Sequence, residues 1–272
     1  MMKKLLSIIM AAVLIATVFV GCSSKKENEN KGEGTQTSAS DLAYIKEKGT
    51  LVIGITEFEP MNYKDKDTKE WTGFDTEFAQ AVAEKLGVKA KFQVIDWDNK
   101  VPELDAKSID CLWNGMTITD EVKKNTNVTN AYVENAQVVV MKKSEVSKYS
   151  SLEDMKDLSF SAEAGSAGEK ALQEAGIKNV TAVTAQSDCL MEVQSGSTDA
   201  CVIDLTMANS MIGDGTSYSE LAFEVKLNVE QYGIGFRKGS DVTEEVNKIM
   251  EEMKADGSLQ KLADKYKLTL VK

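Results

Sequence analysis

The sequence predicts an α/β fold arranged as two lobes. Short apolar runs rich in β-branched residues alternate with stretches of helical periodicity, the pattern of a parallel-rich sheet covered by helices. The alternation begins again near residue 136, after a first complete set. Several of the apolar runs stop abruptly at polar residues, and in open α/β sheets ligands sit at the carboxyl ends of strands.

In chain order, "TLVIGIT" (50–56) reads as a buried strand. Asp75 is placed to cap the helix that follows; its buried face is Phe78, Ala81, Val82 and Leu86, and Gly87 ends it. "AKFQVID" is a second strand, and "NKVPELDAK" a helix that tolerates Pro102 in its first turn. "IDCLWNG" is a third strand, and a charged helix begins near Asp120. The second set opens with "AQVVVMKK" as a strand and "SLEDMKD" as a short capped helix. "LSFSAEAG" is a strand, "SAGEKALQEAG" a helix, "VTAVT" a strand, 187–195 a helix and "DACVIDL" a strand. The stretch 243–266 reads as helical, with Val246, Ile249, Met250 and Met253 as its apolar stripe. No residue-level repeat accompanies the two sets, so the duplication is architectural.

Ahead of this fold stand Lys3 and Lys4, an apolar run from Leu5 to Val20, and then Gly21 and Cys22. At 16 residues the run is short for a membrane span, and 1–21 reads as a secretory leader. Residues 22–40 contain no apolar side chain larger than alanine beyond Cys22, and read as a flexible tether. About 230 residues remain for the folded part, enough for two modest lobes.

The formal charge is −11, and −13 once Lys3 and Lys4 leave with the leader. Phosphate contacts need clustered Lys and Arg, so no nucleic-acid partner is expected. The same charge keeps the chain off an anionic membrane surface. There is no histidine and no C-x-x-C, which argues against a transition-metal site; no cofactor is expected. Cys111 and Cys201 lie in apolar runs as buried thiols, and a Cys189–Cys201 bridge is open to an oxidising compartment.

Five strand-end spots draw attention: "EFEPMNY", "DWD", "WNGMTIT", "GSAGE" and Asp204 closing "ACVID". Together with "GFDTEFAQAVAEKLGVK", "IDWDNKVPELDAKSIDCLWNGMTIT" and "YGIGFRKGSD", they resemble the extracytoplasmic solute-binding proteins of polar amino-acid ABC importers. The resemblance runs from "GTLVIGITEFEPMNY" to "ADGSLQKLADKY". Cys22 after Val20-Gly21 resembles a bacterial lipobox, with Phe19 in place of its usual leucine. The resemblance implies the type II periplasmic-binding fold, two lobes joined by two crossing strands. Lobe 1 would be 41–135 with 234–272, and lobe 2 would be 136–233. It implies a monomeric, lipid-anchored subunit that touches the membrane only through its lipid. Such a subunit passes an amino acid or related amine to ABC permease and ATPase partners.

The resemblance also assigns roles. Phe58 and Trp97 match the aromatic pair that sandwiches the ligand side chain, and ring faces attract cations and flat groups. Glu57 lies where the family often has an acid for a cationic group, and the shorter loop lets Thr56 or Glu57 take that place. Asp204 matches the acid for the ligand α-ammonium. Asn114, Gly115 and Thr117 match the loop that offers polar groups and N–H donors to the α-carboxylate, and Ser166 matches a donor from the opposite lobe. The helix near Asp120 adds a favourable dipole for an anion.

Val122 stands where the family usually carries an arginine that forks onto the carboxylate. The chain's one arginine, Arg237, lies away from this loop. Three explanations remain open: Lys123 or Lys100 supplies the charge; N–H donors and hydroxyls suffice; or the ligand lacks a free α-carboxylate. A dehydratase-like enzyme on the same fold, with Glu57 and Asp204 as acid–base groups, is the rival reading. A sensory module would need a spanning segment and a signalling domain, neither of which is expected.

Overall fold

The computed structural model describes residues 40–272. The expectations for the leader, for Cys22 and for the tether as far as 39 fall outside the described residues.

The chain enters through α1 (Asp41–Lys48), β1 (Thr50–Ile55), a hairpin of β2 (Tyr63–Lys64) and β3 (Trp71–Thr72), α2 (Phe74–Leu86) and β4 (Lys89–Val94). A 3-10 turn at Trp97–Asn99 leads into α3 (Lys100–Asp105), β5 (Cys111–Leu112), α4 (Asp120–Asn125) and β6 (Thr126–Val128). β7 (Val133–Lys142) then crosses to a second sheet, followed by α5 (Lys143–Val146), β8 (Phe160–Glu163), α6 (Ala167–Glu174) and β9 (Val180–Val183). α7 (Gln186–Ser195), β10 (Ala200–Asp204) and α8 (Leu205–Met211) come next. β11 (Leu221–Tyr232) returns to the first sheet, completed by β12 (Gly235–Arg237), α9 (Val242–Ala255) and α10 (Ser258–Tyr266).

The first sheet has the order β4-β1-β5-β12-β6 and the second β11-β7-β10-β8-β9. β1 is parallel to β4 and β5, and β8 is parallel to β9 and β10. The sheets are mixed because the chain leaves and re-enters the first half: β12 is antiparallel to its neighbours, and β7 is antiparallel to β10 and β11. The carboxyl ends of the parallel strands point to one place, where the site is built.

β7 shows the period of two that buries a strand on both faces. Val138 and Val140 join the largest apolar cluster, while Val139 and Met141 pack on the other face with Phe160 and Leu172. In α2, Phe74, Phe78 and Val82 lie one turn apart and are fully buried; Ala81, expected on this face, is only half-buried.

Three expectations are corrected, and one open question is answered. Asp75 does not cap α2, whose N-cap is Gly73; its carboxylate is buried and bonded elsewhere. The segment "SLEDMKD" forms only a 3-10 turn, Leu152–Met155, without a side-chain cap. The stretch 243–266 is two helices, broken at Asp256 and Gly257, where Asp256 Oδ1 accepts the N–H of Ser258 at 2.8 Å. Cys189 and Cys201 are not bridged: with Cys111 they are free and buried, and burial raises the pKa of each thiol.

Arg237 has a structural task. Its Nε bonds Asp41 at 2.9 Å and its guanidinium lies 3.6 Å from Asp110, while Nη1 donates to the Ile109 carbonyl at 2.8 Å. Planar donors suit such a buried fork. The result ties α1 to the first sheet.

Candidate functional site

The ends of β4, β5, β8 and β10 surround a cavity of about 490 Å³ between the two sheets. That size falls in the usual range for small-molecule sites. Trp97, Asn114, Gly115, Thr117, Ser166 and Asp204 lie on its wall, so six of the eight residues expected at the ligand are brought together.

Glu57 and Phe58 are not on that wall. Beyond β1 the short loop turns Phe58 inward, its N–H bonding the Asn62 carbonyl at 2.7 Å. The ring is 2% exposed and packs edge-on to Tyr232 at 6.4 Å. Glu57 is exposed to solvent. Thr56 reaches inward instead, accepting from Asn114 Nδ2 at 2.8 Å, while Asn114 Oδ1 accepts from Asn62 at 2.8 Å.

Gly115 holds a left-handed φ of 55°, and a Cβ there would come within 2.7 Å of the Phe58 ring. Its N–H donates to Asp75 Oδ2 at 2.6 Å, and Asp75 Oδ1 accepts the Tyr132 hydroxyl at 2.9 Å. Burial pushes the Asp75 carboxyl up to about 7, opposed by those two donors. This loop was expected to offer its N–H groups to a ligand carboxylate; that of Gly115 is turned away and bonded.

Val122 lines the cavity and packs in an apolar cluster with Trp97 and Met116. Lys123 is exposed and is not on the cavity wall, so it does not supply the missing charge. Lys100 does lie on the wall. Its Nζ sits 5.2 Å from the Trp97 ring centroid and donates to the carbonyls of Trp97 at 3.1 Å and Gly165 at 2.8 Å. Burial lowers its pKa, with Glu121 and Glu163 opposing.

The second sheet supplies the facing wall. The two halves meet at Gly165, where a Cβ would lie 2.8 Å from the Asp98 Cα. Ser166 caps α6, its Oγ accepting the N–H of Glu169 at 3.1 Å. Asp204 is 3% exposed; its Oδ1 accepts from Asn135, from Gln137 at 3.0 Å and from the Tyr232 hydroxyl at 2.9 Å. Gln186 brackets it, donating to Oδ2 and accepting the Asp204 N–H at 2.9 Å. Behind lies Glu230, whose Oε1 accepts from Thr117, Asn135 and Gln137, each at 2.7 Å.

Glu163 also lines the cavity and went unrecognised in the sequence, where it was absorbed into "LSFSAEAG". The signal was the one that exposed Asp204: an acid closing an apolar strand. Glu163 is 2% exposed and its Oε1 has no hydrogen-bond partner. Burial lifts it to about 8, Asp204 adding to the rise while Thr56 and Lys100 oppose it. Asp204 is lifted too, by burial and then by Glu230. Neither carboxylate forms an ion pair with a cationic side chain among the described residues.

Two mixed sheets joined by β7 and β11, with a polar cavity between their strand ends, define a type II periplasmic-binding fold. The chain belongs to the bacterial extracellular solute-binding proteins, family 3, which its residues 51–269 match. It is 34% identical over 269 residues to the L-cystine-binding protein TcyA of Bacillus subtilis (strain 168), covering 97% of each chain. It is 30% identical over 229 residues to the L-cystine-binding protein TcyJ of Escherichia coli (strain K12), covering 83% of this chain and 85% of that one. An ABC uptake transporter substrate binding protein from Streptococcus pneumoniae, solved with bound histidine, superposes with a TM-score of 0.77 at 28% identity. That match covers 85% of this chain and 97% of the other. All three are named as binding proteins rather than enzymes.

Proposed function

We propose that the protein is the lipid-anchored substrate-binding subunit of an ABC importer, holding an amino acid or related amine between two lobes. The lobes are 41–135 with 234–272, and 136–233. The leader 1–21 is removed, Cys22 carries the lipid, and 22–40 tethers the monomer to the cell membrane. The permease and ATPase subunits receive the solute.

One observation carries the ligand class. Asp204 is a buried carboxylate on the cavity wall, with donors around it but no cationic side chain paired to it among the described residues. A buried charge is costly unless paired, and a ligand ammonium is the missing partner. Trp97 supplies a ring on the same cavity's wall, and Thr117 and Ser166 supply hydroxyls from opposite walls. Ligand favours the closed arrangement only through contacts to both walls.

The test is calorimetric titration of the protein after unfolding and refolding to strip carried-over solute. The panel is amino acids, each beside its carboxyl-amide and its decarboxylated amine. Binding of one or more with one-to-one stoichiometry and recovery of the unchanged ligand is expected; chemical conversion of the ligand would revive the dehydratase reading. Palmitate labelling that is lost in Cys22→Ala tests the anchor.

A further inference from the structure

A binder of a single ammonium needs one acid at that end of its cavity; this cavity presents two. Asp204 closes β10 and Glu163 closes β8, on parallel neighbouring strands, and both line the same cavity. Gln186 stands beside both, bonded to Asp204 and acting on Glu163. Asp204 is heavily solvated by protein donors. Glu163 is less so: the Thr56 and Gln186 side chains lower its pKa as donors, yet its Oε1 is buried with no partner. Buried polar atoms are almost always satisfied, and an exception calls for a reason.

The nearby cation does not supply that reason. Lys100 directs its Nζ at two backbone carbonyls and makes no ion pair with Glu163. Nor does the other wall compensate. The arginine of the family resemblance is replaced by Val122, Lys123 faces solvent, and the Gly115 N–H is bonded to Asp75. The wall carries Asp98, Glu121, Glu163, Glu169 and Asp204 against Lys100 and Lys170, an acidic surplus.

We propose that the cleft is built for a solute carrying two protonated amines, one seated on Asp204 and the second on Glu163. This rests on the binding-protein reading above and names the substrate class within it. The second ammonium gives the Glu163 carboxylate a partner charge and neutralises the like-charge pair. An ammonium so placed favours the ionised carboxylate, so seating it releases a proton from Glu163 near neutral pH.

The experiment compares matched pairs that differ by one amine: ornithine with norvaline, lysine with norleucine, and 2,4-diaminobutyrate with 2-aminobutyrate. Each is titrated calorimetrically into the full chain and into its Glu163→Gln variant at pH 7.5, in two buffers of different ionisation enthalpy. At least one two-amine member should bind ten-fold or more tightly than its partner, with greater proton release. In Glu163→Gln that ratio should collapse towards one and the extra proton release should vanish. Glutamine matches the size of the protonated glutamate, and a thermal melt verifies folding. Three results would overturn the inference: equal affinity within every pair, a preference that survives in Glu163→Gln, or no difference in proton release. In each of those cases solute binding itself stands. Failure of all six solutes and of the twenty standard amino acids would remove the binding reading together with the inference.

Discussion

The two walls of the cleft bury acids in opposite ways. On the first-sheet side Asp75 is sealed, with Gly115 N–H and the Tyr132 hydroxyl filling its two oxygens. On the second-sheet side Asp204 and Glu163 are similarly buried but belong to residues that line the cavity, and Glu163 Oε1 has no hydrogen-bond partner. Burial alone therefore does not mark a binding acid. What separates the proposed binding acids is position: Asp204 and Glu163 line the cavity and Asp75 does not.

The largest break in this comparison is Asp204→Asn. It removes the charge and keeps the shape, and should weaken amine binding about 100-fold, the effect of deleting one partner of a buried charge pair; calorimetry reads it. Trp97→Ala removes the ring face and should weaken binding about ten-fold, in line with a desolvated cation–π contact. Val122→Arg places a guanidinium on the apolar wall. It should shift preference towards solutes with a free carboxylate over their amides by a few-fold, measured as a ratio of affinities within one preparation.

Asp75→Asn sharpens the contrast through stability. The folded-state pKa of Asp75, about 7, lies above its ordinary value of 3.8, so between those pH values the folded protein holds a proton that the unfolded chain releases. Stability from this group is present at low pH and falls as pH rises through that window. Glu163 contributes the same sign up to about 8. Urea midpoints of the ligand-free protein should therefore drop from pH 5 to pH 8, and Asp75→Asn should flatten the slope. The smallest effect is chemical: Cys111, Cys189 and Cys201 should resist a thiol reagent in the folded protein and all react in denaturant, because burial disfavours the thiolate.

The apolar strands β1, β7 and β10 were plain in the sequence because full burial leaves continuous apolar runs. β11 was hidden, since "LAFEVKLNVEQY" has one exposed face and polar residues interrupt it. Asp75 misled because an acid at a helix start looks alike whether it caps the helix or bonds a distant loop. Phe58 misled because an aromatic after a strand packs into the core as readily as it lines a cleft. Trp97, Ser166 and Asp204 were legible from their positions just past apolar runs. Glu163 carried the same signal but sat inside the quoted strand. Pairing of Glu163 with Asp204 depends on sheet order, which no local pattern contains.

The strands that join the two sheets also grip the site. Asn135 and Gln137 on β7, with Glu230 and Tyr232 on β11, form the cradle around Asp204. Along β11 the pairing slips between Phe223 and Lys226 and again between Lys226 and Val229, short of that cradle. In the proposed function the pivot and the charge sensor are thus one piece of backbone. A guest seated on Asp204 would pull on the axle itself, so a membrane partner that feels only the angle between the halves would in effect be weighing the guest's charge.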